Sequence, residues 1–145
     1  MTKEIYNYLV MHILDMQKNK LSMISKYAMD YDKYTAALDL LNGYIKGIEH
    51  YLNNTSIMEG EHEAPFVIIG STVVVREKSS GKVHSFTIVP PSRSHSPNSD
   101  SKPVSCFCGF GSSLLLKKEG HQVSVERPGG MAAGVIQGIT YDLKL

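Results

Sequence analysis

The sequence predicts an α+β fold, with an N-terminal antiparallel helical hairpin followed by a small sheet domain that carries a short helix. Three observations support this. Apolar residues recur at helical spacing in two separate runs before position 54, and the apolar period falls to two beyond Pro65. Pro65 is also the first proline, so nothing sterically forbids two long helices before it. The expected domains are residues 1–54, the hairpin, and residues 64–145, the sheet domain.

The first helix is expected over residues 3–28. Tyr6, Leu9, Ile13, Met16, Lys20, Met23 and Tyr27 follow the alternating three-four spacing of a coiled-coil seam, with Lys20 the one polar member. Residues 33–52 repeat the pattern with Tyr34, Ala37, Leu41, Tyr44, Ile48 and Tyr51, and Leu38, Ile45 and Leu52 widen the stripe. Ala28-Met29-Asp30-Tyr31-Asp32 separates the two runs, a break short enough for an αα-hairpin. Asp30 and Asp32 are placed to cap the second helix, because a carboxylate accepts from its unpaired first N–H groups. Gly43 and Gly47 each weaken that helix by about 1 kcal/mol relative to alanine.

Asn53 to Ala64 loses the periodicity and reads as a linker. Beyond it, Phe66–Ile69 and Thr72–Arg76 are strand-like, and Ser79-Ser80-Gly81-Lys82 turns the chain into Val83–Val89. Pro90–Pro103, rich in serine and proline, reads as a long loop. A strand resumes at Val104–Phe107, a short helix is expected over Ser112–Lys118, and Val123–Arg127, Pro128-Gly129-Gly130 and Val135–Tyr141 form a closing hairpin.

Composition narrows the function. The chain has 145 residues, 42% apolar and 20% charged, as in an ordered globular protein. A net charge of +1 gives no field for gripping free DNA. The only cysteines, Cys106 and Cys108, are too close for an unstrained disulfide and too few for a zinc site. They read as small buried thiols on one sheet face, in a reducing compartment. No signal-peptide pattern and no run long enough to span a bilayer is present, so a cytoplasmic location without membrane contact is expected. Glu59, Glu61, His62 and Glu63 read as a charged linker rather than a metal site. No phosphate loop or nucleophile elbow occurs, so no enzymatic machinery of the chain's own is expected.

The C-terminal half resembles the GreA/GreB family of bacterial transcription elongation factors. The order of features carries the resemblance: Ile69-Gly70-Ser71-Thr72-Val73, then Gly81 and Phe86-Thr87-Ile88-Val89, then Ser105, Gly111 and Leu114. Lys117-Lys118-Glu119-Gly120, Pro128-Gly129-Gly130 and Val135-Ile136 with Ile139-Thr140-Tyr141 complete it. Tyr34-Thr35-Ala36-Ala37 and Ile45-Lys46-Gly47-Ile48-Glu49 extend it through the second helix. The resemblance implies an FKBP-like C-terminal domain with an antiparallel sheet. It also implies bacterial RNA polymerase as partner, with a hairpin inserted into the polymerase's secondary channel. RNA would be met only as a 3′ end within that complex.

The resemblance further implies site residues. Cleaving members carry Asp-x-x-Glu-Asn before the second helix, and this chain has Tyr27, Asp30 and Tyr31 in those places, with Asp32 adding a carboxylate. Asp30 and Asp32 are thus the candidates for assisting RNA cleavage, and Asp30 for holding a Mg2+ of the polymerase active site, the chain having no cofactor of its own. The capping role is the competing reading of both. The family's polymerase-gripping segment corresponds to Phe107, Cys108, Gly109, Phe110 and Leu114, though Phe107-Cys108-Gly109 replaces its usual Ser-Pro pattern. Lys18, Lys20 and Lys26 would guide an RNA 3′ end, against the ordinary reading of a solvated helix face. Two rival functions stand beside stimulated cleavage. One is a non-cleaving competitor that occludes the channel. The other is a prolyl isomerase, which the fold alone does not imply and for which no aromatic-pocket signature is present.

Overall fold

In the computed structural model, which describes residues 1–60, 63–90, 101–127 and 129–143, the chain divides into two units, Met1–Glu63 and Ala64–Leu145. The hairpin-then-sheet architecture expected from the sequence is the one observed. Glu61, His62, most of the serine-proline segment and Pro128 lie outside the described residues.

In the first unit, α1 spans Lys3–Ile24 and α2 spans Tyr31–Asn53. At 1.5 Å per residue each is about 33–35 Å long. Thr2 caps α1, its hydroxyl accepting from the Ile5 N–H. Ile5, Leu9, Ile13, Met16, Met23 and Ile24 are buried on α1, and Ala37, Leu41, Tyr44, Ile45, Ile48 and Leu52 on α2. The seam tyrosines Tyr6, Tyr27, Tyr34 and Tyr51 are only half-buried. Ile5, Ile24, Ile45 and Leu52 complete the buried stripe beside them.

Polar pairs cross this seam. His12 Nε2 lies 2.7 Å from the Tyr44 hydroxyl, with the two rings edge to face. Lys20 Nζ donates to Asn42 Oδ1 at 2.8 Å, which explains a lysine in a seam position. Burial pushes His12 down from its ordinary 6.5 to about 4, against a smaller upward pull from Asp15.

In the second unit five strands are ordered β3-β2-β1-β5-β4, with β1 at Thr72–Glu77, β2 at Val83–Val89, β3 at Lys102–Ser105, β4 at Gln122–Arg127 and β5 at Gly130–Thr140. β1 pairs antiparallel with β2 and β5, and β4 with β5. β3 departs from the expected antiparallel sheet by running parallel to β2. A parallel neighbour requires a long return connection, and residues 90–101 provide the length. Phe66–Ile69 is buried but not a strand. It is tied by the Val67 N–H to the Lys117 carbonyl at 2.9 Å and by the Leu116 N–H to the Val67 carbonyl at 2.8 Å.

The short helix α3 covers Gly109–Leu114, beginning three residues before its expected start. Gly111 explains this position. A Cβ there would lie 1.9 Å from the Ser105 carbonyl oxygen, so only glycine lets α3 approach the end of β3 so closely. The buried face of the sheet carries Val73, Val75, Phe86, Ile88, Val104, Val125 and Ile136.

Two stability predictions follow from these contacts. Gly111→Ala should destabilise the protein by about 2 kcal/mol or more, because backbone must move to admit the methyl group. Gly43→Ala, with open space around its Cβ, should instead stabilise by about 1 kcal/mol. Denaturant titration of both variants measures the contrast. The second concerns acid. His12 is neutral when folded and protonates more readily when unfolded, so stability should be full above pH 6.5. It should fall as pH drops from there towards 4, by about 2–3 kcal/mol. Denaturation midpoints across that window should show the loss, and His12→Phe should reduce it.

Candidate functional site

The end of the hairpin opposite Met1 and Asn54 is built from residues 25–33. After α1 the chain makes one 3-10 turn, Ser25–Tyr27, closed by the Ala28 N–H donating to the Ser25 carbonyl at 3.0 Å. The Asp30 N–H then donates to the Tyr27 carbonyl at 2.9 Å, and Asp30 turns extended. That conformation makes it the N-cap of α2. Asp30 Oδ1 accepts from the Lys33 N–H at 3.2 Å, and its carbonyl accepts from the Tyr34 N–H at 2.9 Å. Asp32 follows in the first helical turn, exposed.

Asp30 and Asp32 therefore stand exposed at the tip, at the start of α2. Capping uses one oxygen of Asp30 and leaves the other open to solvent. Hard carboxylate oxygens suit Mg2+, but two exposed residues make an incomplete coordination set. Among the described residues no three His, Cys, Asp or Glu side chains come together to hold an ion. An ion held at this tip would complete its shell with water or with ligands from a partner.

The candidate lysines separate. Lys18 is exposed, and Lys26 lies 5.0 Å from the centre of the Tyr27 ring. Lys20 is committed to Asn42 across the seam, so a free guiding role does not fit it.

The second candidate segment surrounds α3. Cys108 is exposed and is not paired on a sheet face with Cys106, which is buried. β3 stops at Ser105, and Cys108 instead caps α3, its Sγ accepting from the Gly111 N–H at 3.2 Å. Phe107 and Phe110 are half-buried and Gly109 is exposed. Leu114 departs from its expected contact role. At 0% exposure it is a core side chain, and it anchors α3 from beneath.

A pair the sequence reading missed sits behind Phe110. Glu77, 1% exposed, meets His84 Nε2 through Oε2 at 2.5 Å. The His84 ring stacks on Phe86 at 6.0 Å, and Phe86 meets Phe110 edge to face at 4.9 Å. Glu77 and His84 flank the Ser79–Lys82 turn on one face of the β1–β2 hairpin, and strand alternation across that turn was the signal available.

Comparison with known proteins places these two regions in a family context. Residues 62–141 match the family described as "Transcription elongation factor, GreA/GreB, C-term". Transcription elongation factor GreA of Thermotoga neapolitana is 34% identical over 87 residues, 60% of this chain and 54% of that protein. The match thus spans about half the length of that relative. GreA of Dehalococcoides mccartyi is 25% identical over 129 residues, 86% of this chain and 81% of the relative. A GreA/GreB factor structure from Nitrosomonas europaea is similar in fold, with a TM-score of 0.52 at 24% identity over 88% of this chain and 93% of that one.

The cap has a measurable consequence of its own. Asp30→Ala should cost about 1 kcal/mol of stability, whereas Asp30→Asn, which still accepts from the Lys33 N–H, should cost little. Thermal unfolding of the two variants distinguishes them.

Proposed function

The chain belongs to the GreA/GreB family of transcription elongation factors, and from that membership we propose that it binds bacterial RNA polymerase and inserts its hairpin into the enzyme's secondary channel. The observation that carries this reading is the tip. Two carboxylates stand exposed at the far end of helices of 22 and 23 residues, where a buried catalytic centre can be reached only by something long and thin.

In this reading the α3 segment supplies docking through Phe107, Cys108, Gly109 and Phe110, while the tip supplies chemistry. Asp30 is the residue that would hold a Mg2+ shared with the polymerase, through the oxygen not used by the Lys33 N–H. Bound there, such an ion would supply Lewis-acid activation of a water for attack on the RNA backbone. Asp32 would orient water or support the ion. The protein is then a helper of the polymerase's own cleavage, not an independent enzyme.

A second reading, a non-cleaving competitor that occupies the channel, is favoured by one specific observation. Tyr27 stands where, by the family resemblance, cleaving members carry a further acid. One experiment separates the two. The protein is added to stalled, backtracked polymerase complexes and the RNA 3′ end is followed. Stimulated cleavage is expected for the wild type and should be mostly lost in Asp30→Asn, with binding intact and partial recovery at high magnesium, where the ion binds by mass action. Competition with an active Gre factor without cleavage would establish the occluding reading. Absence of binding would overturn both.

A further inference from the structure

α1 carries a second apolar row that the hairpin seam leaves unused. Met11, Leu14 and Leu21 are 64%, 53% and 69% exposed. At 3.6 residues per turn they fall within about 80° of arc, on the side of α1 opposite the buried Leu9, Ile13 and Met16. Exposed apolar residues scattered singly are ordinary, but three large ones aligned on one helix face are not. The fourth position of the row is Lys18, exposed and without an ion pair among the described residues. Asn7 and Ser25 occupy the next positions at either end and limit the row to residues 11–21.

Spacing and charge select what covers this row. Its steps are three, four and three, the same read in either direction. A second copy of α1 laid antiparallel therefore presents a matching row. Met11 meets Leu21 of the other copy, and Leu14 meets the stem of its Lys18. That is the self-complementarity a two-fold contact requires, and a polar residue within such a row sets its register. The charges agree. In this alignment Lys18 lies beside Asp15 of the other copy, and symmetry forms the pair twice. Asp15 Oδ1 accepts from the Asn19 side chain at 2.9 Å, which leaves its other oxygen for the lysine. An in-register parallel copy would instead set Lys18 against Lys18, a repulsion that disfavours it.

We infer that the outer face of α1 is a self-association surface. On it a second copy of this chain packs its own α1 antiparallel through Met11, Leu14 and Leu21, with reciprocal Lys18–Asp15 pairs. The inference does not rest on the polymerase reading. Three apolar side chains from each copy make a small interface, so the dimer is weak and forms only at high protein concentration.

The test is sedimentation equilibrium of the full chain, in reductant so that the exposed Cys108 forms no cross-link. The average mass should rise with concentration from the monomer's towards twice that value. Leu21→Glu and Met11→Glu should each weaken association about tenfold or more, since symmetry makes each substitution remove two apolar contacts. Both sites are exposed and glutamate is a good helix former, so thermal unfolding should stay close to wild type. Asp15→Lys should also weaken association, and the double variant carrying Asp15→Lys and Lys18→Asp should restore it. Three results would overturn the inference: a monomer at every concentration up to about 1 mM, a dimer that Leu21→Glu and Met11→Glu leave intact, or a double variant no tighter than Asp15→Lys. A chain that stays monomeric, but whose Leu21→Glu variant loses capture by bacterial RNA polymerase, would overturn it too and assign the row to that protein.

Discussion

The narrow seam between α1 and α2 is the constraint on which the hairpin unit depends. Two helices packed side by side can bury only one stripe each, so much of each helix surface stays in water. Apolar contact alone would leave their register poorly defined over roughly 33 Å. The pairs that cross the seam supply the missing definition. His12 with Tyr44 and Lys20 with Asn42 are satisfied only in one alignment, and misalignment strands a half-buried polar group. A polar residue within an apolar stripe is the known device for fixing register at some cost in stability. The position of the tip follows from that register.

Much of this was legible in the sequence because periodicity reports burial directly. The three-four spacing located both helices and most of their buried residues, and the period of two located β1, β2, β4 and β5. What escaped depended on contacts between distant segments. The start of α3 is set by Gly111 meeting the Ser105 carbonyl, a clearance that no local propensity encodes. The parallel direction of β3 is a matter of topology, and a four-residue strand carries too little pattern to reveal its direction. Cys108 was misplaced for the same reason. The strand ends before it, and its thiol turns from sheet face to helix cap.

The candidate site was legible in a different way. Asp30 and Asp32 stand out because they occupy a break between two periodic runs, and the structure puts them at the exposed turn of the hairpin. The sharing of Asp30 was not legible in detail. A capping aspartate and a metal-binding aspartate look identical in sequence, and only the 3.2 Å contact to the Lys33 N–H shows one oxygen already engaged. Leu114 shows the opposite limit. A family-like position suggested a contact, but its side chain faces inward, where periodicity over a six-residue helix gives no guidance.

Under the proposed function, these features bear on how a protein with almost no net charge would work beside a nucleic acid. A basic hairpin would bind RNA and DNA indiscriminately through their phosphates. This one carries a balanced tip, so under the proposed function engagement would depend on a surface that recognises protein rather than on phosphate contacts. In the second unit the arrangement around Phe110 is suited to that task. The buried Glu77 holds His84, His84 stacks on Phe86, and Phe86 sets the edge-to-face pose of a half-exposed phenylalanine. A ring supported from behind loses less entropy on docking than a free one. Under the proposed function, specificity would then reside in the second unit and chemistry at the tip. The tip would act only once docking had brought it to the polymerase's own metal site.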